Sequence, residues 1–114
     1  MNFLTGGSAP VVTVNNNTRR VTIGSSTHVK CKFISLWDVT VEWINTTDNT
    51  TVIDNGEPIL YAVSTSFIKG QLSHSKLTFT SVNEEDLGTY ICRVENQFGV
   101  GFSKNYFVIK KKGE

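Results

Sequence analysis

The side chains that could do chemistry in this sequence are few and scattered. Catalysis needs a nucleophile, a base and an orienting group held together, and a structural zinc site needs clustered Cys and His ligands. The histidines are His28, on the polar face of a predicted strand, and His74, in a Ser-rich stretch predicted as a loop. We interpret both as surface residues, and we expect no enzymatic activity, no cofactor and no bound metal.

An acidic run and a glycine pair have the composition of ion-binding sites, but the sequence around them lacks the structural elements that such sites need. The run Glu84, Glu85 and Asp86 could attract calcium, but three acids ahead of a strand are usually solvated or salt-bridged. The pair Gly99-x-Gly101 indicates a turn. It lacks the strand–turn–helix context of a phosphate-binding loop, and neither motif is assigned a ligand.

Two cysteines, Cys31 and Cys92, stand 61 positions apart (92 − 31). At that separation neither can belong to a short CxxC redox or zinc pair. They either bridge each other or are two buried thiols.

Size and composition bound the class of protein. A chain of 114 residues can build one core but not two ordinary domains. Its 11 basic and 10 acidic side chains lack the basic excess of a nucleic-acid-binding protein, and no segment reaches the ~20 apolar residues that span a bilayer. We predict a flexible segment at residues 1–9, a domain at 10–110, and a tail or linker at 111–114 that continues the solvated run Lys110-Lys111-Lys112.

Most of the sequence alternates apolar and polar residues with period two, the pattern of half-buried strands. The inward-facing candidates are Val29, Cys31 and Phe33; Val39, Val41 and Trp43; Leu77 and Phe79; Tyr90, Cys92 and Val94; and Phe107 and Ile109. Turn signals separate these runs, including a hairpin-type turn at 54–56 and a turn at 96–101. Short edge strands are predicted at 59–63 and 66–69, and one helical turn at 83–86. The pattern predicts an all-β sandwich.

One run of spaced residues supports a closer identification. It reads Leu77-x-Phe79-x-x-Val82-x-x-x-Asp86-x-Gly88-x-Tyr90-x-Cys92-x-Val94-x-Asn96-x-x-Gly99. This run resembles the E-strand to G-strand signature of immunoglobulin I-set domains. Cys31, followed twelve residues later by Trp43, is similar to the family's B-strand cysteine and C-strand tryptophan. The resemblance covers residues 10–110 and implies an immunoglobulin-like, two-sheet Greek-key sandwich of the I-set kind.

The resemblance implies a role in the core for four of these residues. Cys31 and Cys92 would form one disulfide between the two sheets. Trp43 would pack its indole against that bridge, and Leu77 would complete the core beside it.

Three more signature residues have roles at the turn before strand F. Tyr90 holds the tyrosine-corner position, so its hydroxyl is expected to bond to backbone near Asp86. Asp86 would cap the helical turn and meet a base, with Lys69 as the candidate. Gly88 would supply conformational freedom where the turn enters the strand.

Three aromatic residues outside the core pattern form a candidate partner-binding surface. Trp37 is predicted in the B–C loop, and tryptophan is enriched at interface hot spots, although it could also simply pack over the end of the sandwich. Phe98 and Phe102 flank the F–G turn and pose the same choice. Because B–C and F–G loops share one end of this fold, the three residues could form a single apolar patch.

Three sequons mark candidate N-glycosylation sites at Asn16, Asn45 and Asn49. All three fall in predicted loops or strand ends. A glycan on Asn45 or Asn49 would shield the edge beyond strand C and direct partner binding elsewhere.

These features favour a non-catalytic protein-recognition module, one domain in the ectodomain of a cell-surface receptor or adhesion protein. In its longer C-to-E connection the sequence is similar to membrane-proximal immunoglobulin domains of the fibroblast growth factor receptor or interleukin-1 receptor families. Its partners would be a protein ligand, a co-receptor or a second copy of itself, and neighbouring immunoglobulin domains, but neither nucleic acid nor membrane. The alternative is a structural I-set module of an intracellular sarcomeric or cytoskeletal filament protein. The cysteine pair favours the extracellular location, because disulfides persist in oxidising compartments.

Overall fold

The computed structural model describes residues 7–13, 17–52, 61–103 and 107–112, without the side chains of residues 17, 107 and 108. Its strands are β1 (Val11–Val12), β2 (Asn17–Val21), β3 (Thr27–Ile34), β4 (Thr40–Asn45), β5 (Thr50–Val52), β6 (Tyr61–Ser66), β7 (Ser73–Phe79), β8 (Gly88–Asn96), β9 (Gly99–Phe102) and β10 (Phe107–Lys111). One 3₁₀ turn, Glu84–Asp86, precedes β8. The described residues include no helix long and apolar enough to cross a membrane.

The strands form two sheets. The first has the order β1-β3-β7-β6, and the second has the order β2-β10-β8-β4-β5, with β9 paired to the far half of β8. The described ladders are antiparallel except for β2 with β10, which run parallel. Strands distant in sequence lie side by side, as β3 does with β7 and β4 with β8, which is the Greek-key arrangement.

The core lies between the two inner faces. In β3, β7 and β8 every second residue is buried, as period-two alternation requires. A disulfide joins Cys31 in β3 to Cys92 in β8 and so links the two sheets. Closing a loop of this length stabilises the fold by about 4 kcal/mol in the chain-entropy treatment. These observations confirm the predicted all-β sandwich with one inter-sheet disulfide.

Trp43 is fully buried on β4, directly opposite Cys92 in the β4–β8 ladder. Its Nε1 donates a hydrogen bond of 3.0 Å to the Ser75 hydroxyl, so the indole N–H is satisfied inside the core. Leu77 is also fully buried, two residues further along β7. The Ser75 hydroxyl also accepts a hydrogen bond from the Thr65 hydroxyl at 3.1 Å, so this polar group in the core is paired.

Asp86 organises the end of the sandwich at which β8 begins. It is 3% exposed. Its carboxylate accepts hydrogen bonds from the Tyr61 hydroxyl (2.6 Å) and from the Asn83 backbone N–H (2.9 Å). The Tyr90 hydroxyl donates to the Asp86 backbone carbonyl at 2.6 Å. This hydrogen bond has the form of a tyrosine corner.

The expected partner of Asp86 is different in the structure. Lys69 follows β6 at its Ser66 end, whereas Asp86 contacts Tyr61 at the other end of that strand. A phenol supplies the hydrogen bond that we expected from an ammonium group, so Lys69 as the partner was wrong. The hydrogen bond from Tyr61 to Asp86 raises the pKa of Tyr61 to about 12, with burial contributing second. Burial, with the charge of Asp86 second, also raises the pKa of Tyr90.

Gly88 adopts φ +150°, a conformation that L side chains rarely adopt. A Cβ there would also lie 2.7 Å from the Thr47 hydroxyl oxygen. The backbone at the start of β8 therefore requires glycine for both reasons.

The region before β7 differs from the prediction. The strand predicted at 66–69 is absent, because β6 ends at Ser66 and residues 67–72 make the turn to β7. His74 lies in β7 and not in a loop. The alternation was hidden because β7 turns Ser73 and Ser75 inward, where their hydroxyls are hydrogen-bonded. The predicted turn at 54–56 and the first half of the predicted strand 59–63 lie outside the described residues.

Candidate functional site at the loop end

Trp37 and Phe98 contact each other at the end of the sandwich opposite Asp86. Trp37 lies between β3 and β4, and Phe98 lies in the two-residue turn between β8 and β9. Their ring centroids are 5.1 Å apart with the planes inclined at 63°, an edge-to-face contact. Phe98 remains 45% exposed, so the pair presents aromatic surface to solvent.

Two buried polar side chains, Ser35 and Asn96, hold the loops beneath this pair. The Ser35 hydroxyl accepts from the Trp37 backbone N–H (3.1 Å) and donates to the Trp37 carbonyl (2.6 Å). Asn96 Nδ2 donates to the Ser35 hydroxyl oxygen (3.1 Å), and its Oδ1 accepts from the Phe98 N–H (2.8 Å). These bonds join the loop of Trp37 to the turn of Phe98, and we call Ser35 and Asn96 the polar clamp.

The turn between β6 and β7 joins the same end. Its Gly70 N–H donates to the Ser35 carbonyl at 2.8 Å. Ile68 and Leu72, in this turn, are 54% and 56% exposed. The loop end therefore exposes apolar side chains from three separate turns, all of them attached to Ser35 directly or through Asn96.

The chain segment before β1 also reaches the clamp. Asn96 Nδ2 donates a second hydrogen bond, of 2.9 Å, to the Ser8 carbonyl. Further along, a Cβ at Gly101 would lie 2.6 Å from the Pro10 carbonyl oxygen, so this close approach needs glycine. Ser8 and Pro10, ahead of β1, therefore lie against Asn96 and Gly101.

Phe102 does not belong to this cluster. It lies on β9 opposite Arg93 and is 47% exposed. In the described part of the chain it makes no aromatic contact with Trp37 or Phe98. The structure therefore brings together two of the three predicted aromatic residues.

The chemistry available at the loop end is that of a contact surface. It offers apolar side chains over a hydrogen-bonded base, and none of the described residues there pairs a nucleophile with a base. Among the buried side-chain polar atoms of the described residues, only Trp37 Nε1 has no hydrogen-bond partner. Leaving such a group unpaired costs about 1–3 kcal/mol.

Two of the candidate glycosylation sites, Asn45 and Asn49, lie away from the loop end. Asn45 ends β4, and its side-chain oxygen accepts from the Thr47 N–H at 2.9 Å. Asn49 is exposed in the turn between β4 and β5 with φ 59°, a conformation that Asn tolerates. Asn16 lies outside the described residues.

Sequence reasoning missed four residues of this site: Ser35, Asn96 as part of the clamp, Ile68 and Leu72. Ile68 and Leu72 could have been recognised by their apolar side chains on either side of Lys69-Gly70-Gln71, a turn-type composition. Ser35 carries no comparable signal, because a serine after an alternating strand is common. Its role depends on the meeting of three turns that are distant in sequence.

Comparisons with known proteins agree with this architecture. A family described as immunoglobulin domain matches residues 9–96. Titin of Drosophila melanogaster is 29% identical over 106 residues, which is 91% of this chain and a share of titin that rounds to 0%. This chain therefore spans a very small part of that relative.

Solved structures show the same fold at low sequence identity. In the complex of Dpr2 Ig1-Ig2 with DIP-Theta Ig1-Ig3, one chain superimposes with a TM-score of 0.76 and 18% identity, covering 91% of this chain and 32% of that one. Titin domain M4 gives 0.69 at 18% identity, covering 91% of this chain and 96% of that one. Titin domain M7 gives 0.67 at 24%, covering 89% and 93%. From the match over residues 9–96, the chain belongs to the immunoglobulin domain family.

Proposed function

We propose that this domain is a non-catalytic protein-recognition module whose loop end, around Trp37 and Phe98, contacts a protein partner. The observation that carries the proposal is the polar clamp beneath an aromatic pair whose Phe98 is exposed. Tryptophan and other aromatic anchors dominate interface energetics. A surface that is already ordered loses less conformational entropy on binding.

Other exposed apolar side chains also favour the loop end as the binding surface. Ile68 and Leu72 extend the surface from a third turn. Asn49, which could carry a glycan, lies at the opposite end of β4, so glycosylation there would leave the loop end open.

The domain type that we propose is the I-set. Supporting features are the parallel pairing of β2 with β10, the short β5 beside β4, and the two-residue turn between β8 and β9. In the parent protein the domain would contact neighbouring immunoglobulin domains. The Dpr2–DIP-Theta complex, one chain of which superimposes on it, carries immunoglobulin domains in series.

Two settings for this module have support. An ectodomain of a receptor or adhesion protein fits the Cys31–Cys92 disulfide, because such bonds persist in oxidising compartments. An intracellular filament protein fits the 29% identity to titin. We propose the ectodomain first. Intact mass of the natural protein, taken without reductant, tests the choice: a disulfide and a glycan on Asn49 support the ectodomain, and two free thiols without glycan support the filament protein.

Partner binding is tested with an artificially tetramerised form of the chain, which serves as a multivalent probe. It is screened against purified immunoglobulin-domain ectodomains and purified filament-associated proteins. We expect at least one protein to bind, and Trp37→Ala and Phe98→Ala to weaken that binding by 2 kcal/mol or more each, the size typical of hot spots, about 30-fold. Phe102→Ala is the matched control, since it removes an equally exposed phenyl ring from another surface. Binding that survives both loop-end substitutions but is lost in Phe102→Ala would reject the loop end.

A further inference from the structure

The outer face of the first sheet carries basic side chains in register. In β3 the buried residues are Val29, Cys31 and Phe33, so His28, Lys30 and Lys32 point outward. In β7, which alternates in the same way, His74 and Lys76 point outward. We call Lys30, Lys32 and Lys76, together with the two histidines beside them, the cationic band.

Strand pairing places the members of the band next to each other. Lys30 lies directly opposite Lys76, and Lys32 lies directly opposite His74. Directly opposed residues have Cβ atoms about 4.5–5.5 Å apart, and successive outward residues along one strand are about 7 Å apart. Like charges directly opposite each other destabilise a sheet, so the fold retains Lys30 and Lys76 together at a cost.

No acidic side chain balances the band among the described residues. β1, β3, β6 and β7 contain no Asp or Glu. The described ion pairs are elsewhere: Arg93 with Glu42 and with Glu95 on the second sheet, and Lys111 with Glu84. Among the described residues, positive charge is therefore segregated onto one face, which the net charge of +1 does not reveal.

The surroundings of His28 agree with this arrangement. Burial and then the positive charges of Lys76, Arg19 and Lys30 lower its pKa. Arg19 reaches the band from β2, where its Nε donates to the His28 carbonyl at 3.1 Å. Three cations on three different strands thus act on one exposed imidazole.

We propose that the cationic band binds a linear anionic polysaccharide, of which a sulfated chain is the strongest case. The band is two strands wide, about 5 Å between neighbouring strands, and about 14 Å long from residue 28 to residue 32 at about 3.4 Å per residue. A narrow row of positive charges matches the row of negative charges along a linear polymer better than it matches negative charges spread over a flat surface. The exposed hydroxyls of Ser64 and Ser66 flank the row on β6 and can hydrogen-bond to sugar hydroxyls or sulfate oxygens.

Two other classes of partner fit the band less well. A folded protein surface requires apolar anchors, but the outward residues next to the band on β6 are Ala62, Ser64 and Ser66. An acidic peptide would have to order its backbone at about 1–2 kcal/mol per residue. β7 is paired to β3 and to β6 along most of its length, so a peptide over His74 and Lys76 finds no free edge there with which to repay that cost through backbone pairing.

The test measures binding of the full chain to a heparin oligosaccharide across a series of salt concentrations. We expect the triple variant Lys30→Gln, Lys32→Gln, Lys76→Gln to bind about 30- to 100-fold more weakly at physiological salt, with a shallower salt dependence, since about three ionic contacts are lost. The matched control is Lys110→Gln, Lys111→Gln, Lys112→Gln, which removes the same charge from the end of β10 and should stay within about two-fold of the wild type.

Thermal unfolding of each variant checks the fold, and removal of the opposed lysines should not lower the midpoint. The single variant Lys32→Gln, at an exposed position, gives a second test, with a loss of about five-fold. Equal losses in both triple variants would overturn the proposal, because net charge alone would then explain binding. So would tighter binding to a polyglutamate peptide or to anionic phospholipid vesicles than to heparin. None of these results depends on the loop end, so this proposal and the proposed function can fail separately.

Discussion

The two ends of the sandwich use buried polar groups in opposite ways. At the end near the 3₁₀ turn, the Asp86 carboxylate accepts a hydrogen bond from the Tyr61 hydroxyl, and the Asp86 backbone carbonyl accepts one from the Tyr90 hydroxyl. The aromatic rings there face the core: Phe79 packs edge-to-face against both tyrosines, at 5.7 and 5.4 Å. At the loop end the polar clamp lies inside, and the aromatic pair lies over it with Phe98 exposed.

This difference separates a stabilising end from a recognition end. Burying Tyr61, Phe79 and Tyr90 contributes to folding, because their apolar surface leaves water and the two tyrosine hydroxyls remain paired. At the loop end the polar clamp is withdrawn from water. Part of the aromatic surface is left available, and that part can be buried only by a partner.

The largest expected effect is at the stabilising end. Asp86→Ala removes the acceptor of the Tyr61 hydroxyl and half of the capping box with Asn83. We expect a loss of about 3 kcal/mol in the free energy of unfolding, from a charged hydrogen bond and a cap. Urea unfolding measures it. Glu85→Ala, in the same turn but exposed, should change stability by less than about 0.5 kcal/mol. Equal losses of unfolding free energy in the two variants would mean that Asp86 contributes only its negative charge to the 3₁₀ turn and not its specific hydrogen bonds.

The next effect is at the loop end. Asn96→Ala removes hydrogen bonds to the Ser8 carbonyl, the Ser35 hydroxyl and the Phe98 N–H. We expect a loss of about 1–3 kcal/mol, together with faster hydrogen exchange of the Phe98 amide relative to core amides of β8. Gln97→Ala, the exposed neighbour, is the control. Unchanged exchange at Phe98 in Asn96→Ala would contradict the clamp.

The core was more predictable from the sequence than the site. Strand periodicity and sheet packing set the spacings of Cys31, Trp43 and Tyr90. The fold can therefore be predicted from the types and positions of these residues. Lys69 failed as the partner of Asp86, because which side chain reaches a buried carboxylate depends on the register of β6. His74 was misplaced because inward-facing serines on β7 hide the alternation.

The site depended on contacts that no local pattern reports. Trp37 and Phe98 were predictable as a pair, since B–C and F–G loops meet in this fold. Ser35 and Ile68 were not, because three turns distant in sequence meet there. The cationic band was hidden for a similar reason: Lys30 and Lys76 are 46 positions apart (76 − 30), and only the β3–β7 register makes them neighbours.

The smallest expected effect is on the pH dependence of stability. Because the pKa of His28 is lowered in the folded state, the unfolded chain takes up the proton more readily. The contribution of this residue to stability is therefore present above its ordinary pKa of about 6.5 and is lost as the pH falls below it. Between about pH 7.5 and about pH 5, His28→Gln should lose less in thermal midpoint than the wild type. A larger fall of the thermal midpoint in His28→Gln than in the wild type would contradict the lowered pKa of His28.

Photo-crosslinking tests the assignment of the recognition end most directly. A photoreactive phenylalanine analogue is placed at position 98 or at position 102 of the full parent protein in its native cells, because Phe98 and Phe102 are exposed to nearly the same degree (45% and 47%). We predict a discrete adduct with a partner protein from position 98 and none from position 102, with the adduct at position 98 reduced by Asn96→Ala. An adduct from position 102 alone would contradict the account and assign recognition to the face of the second sheet.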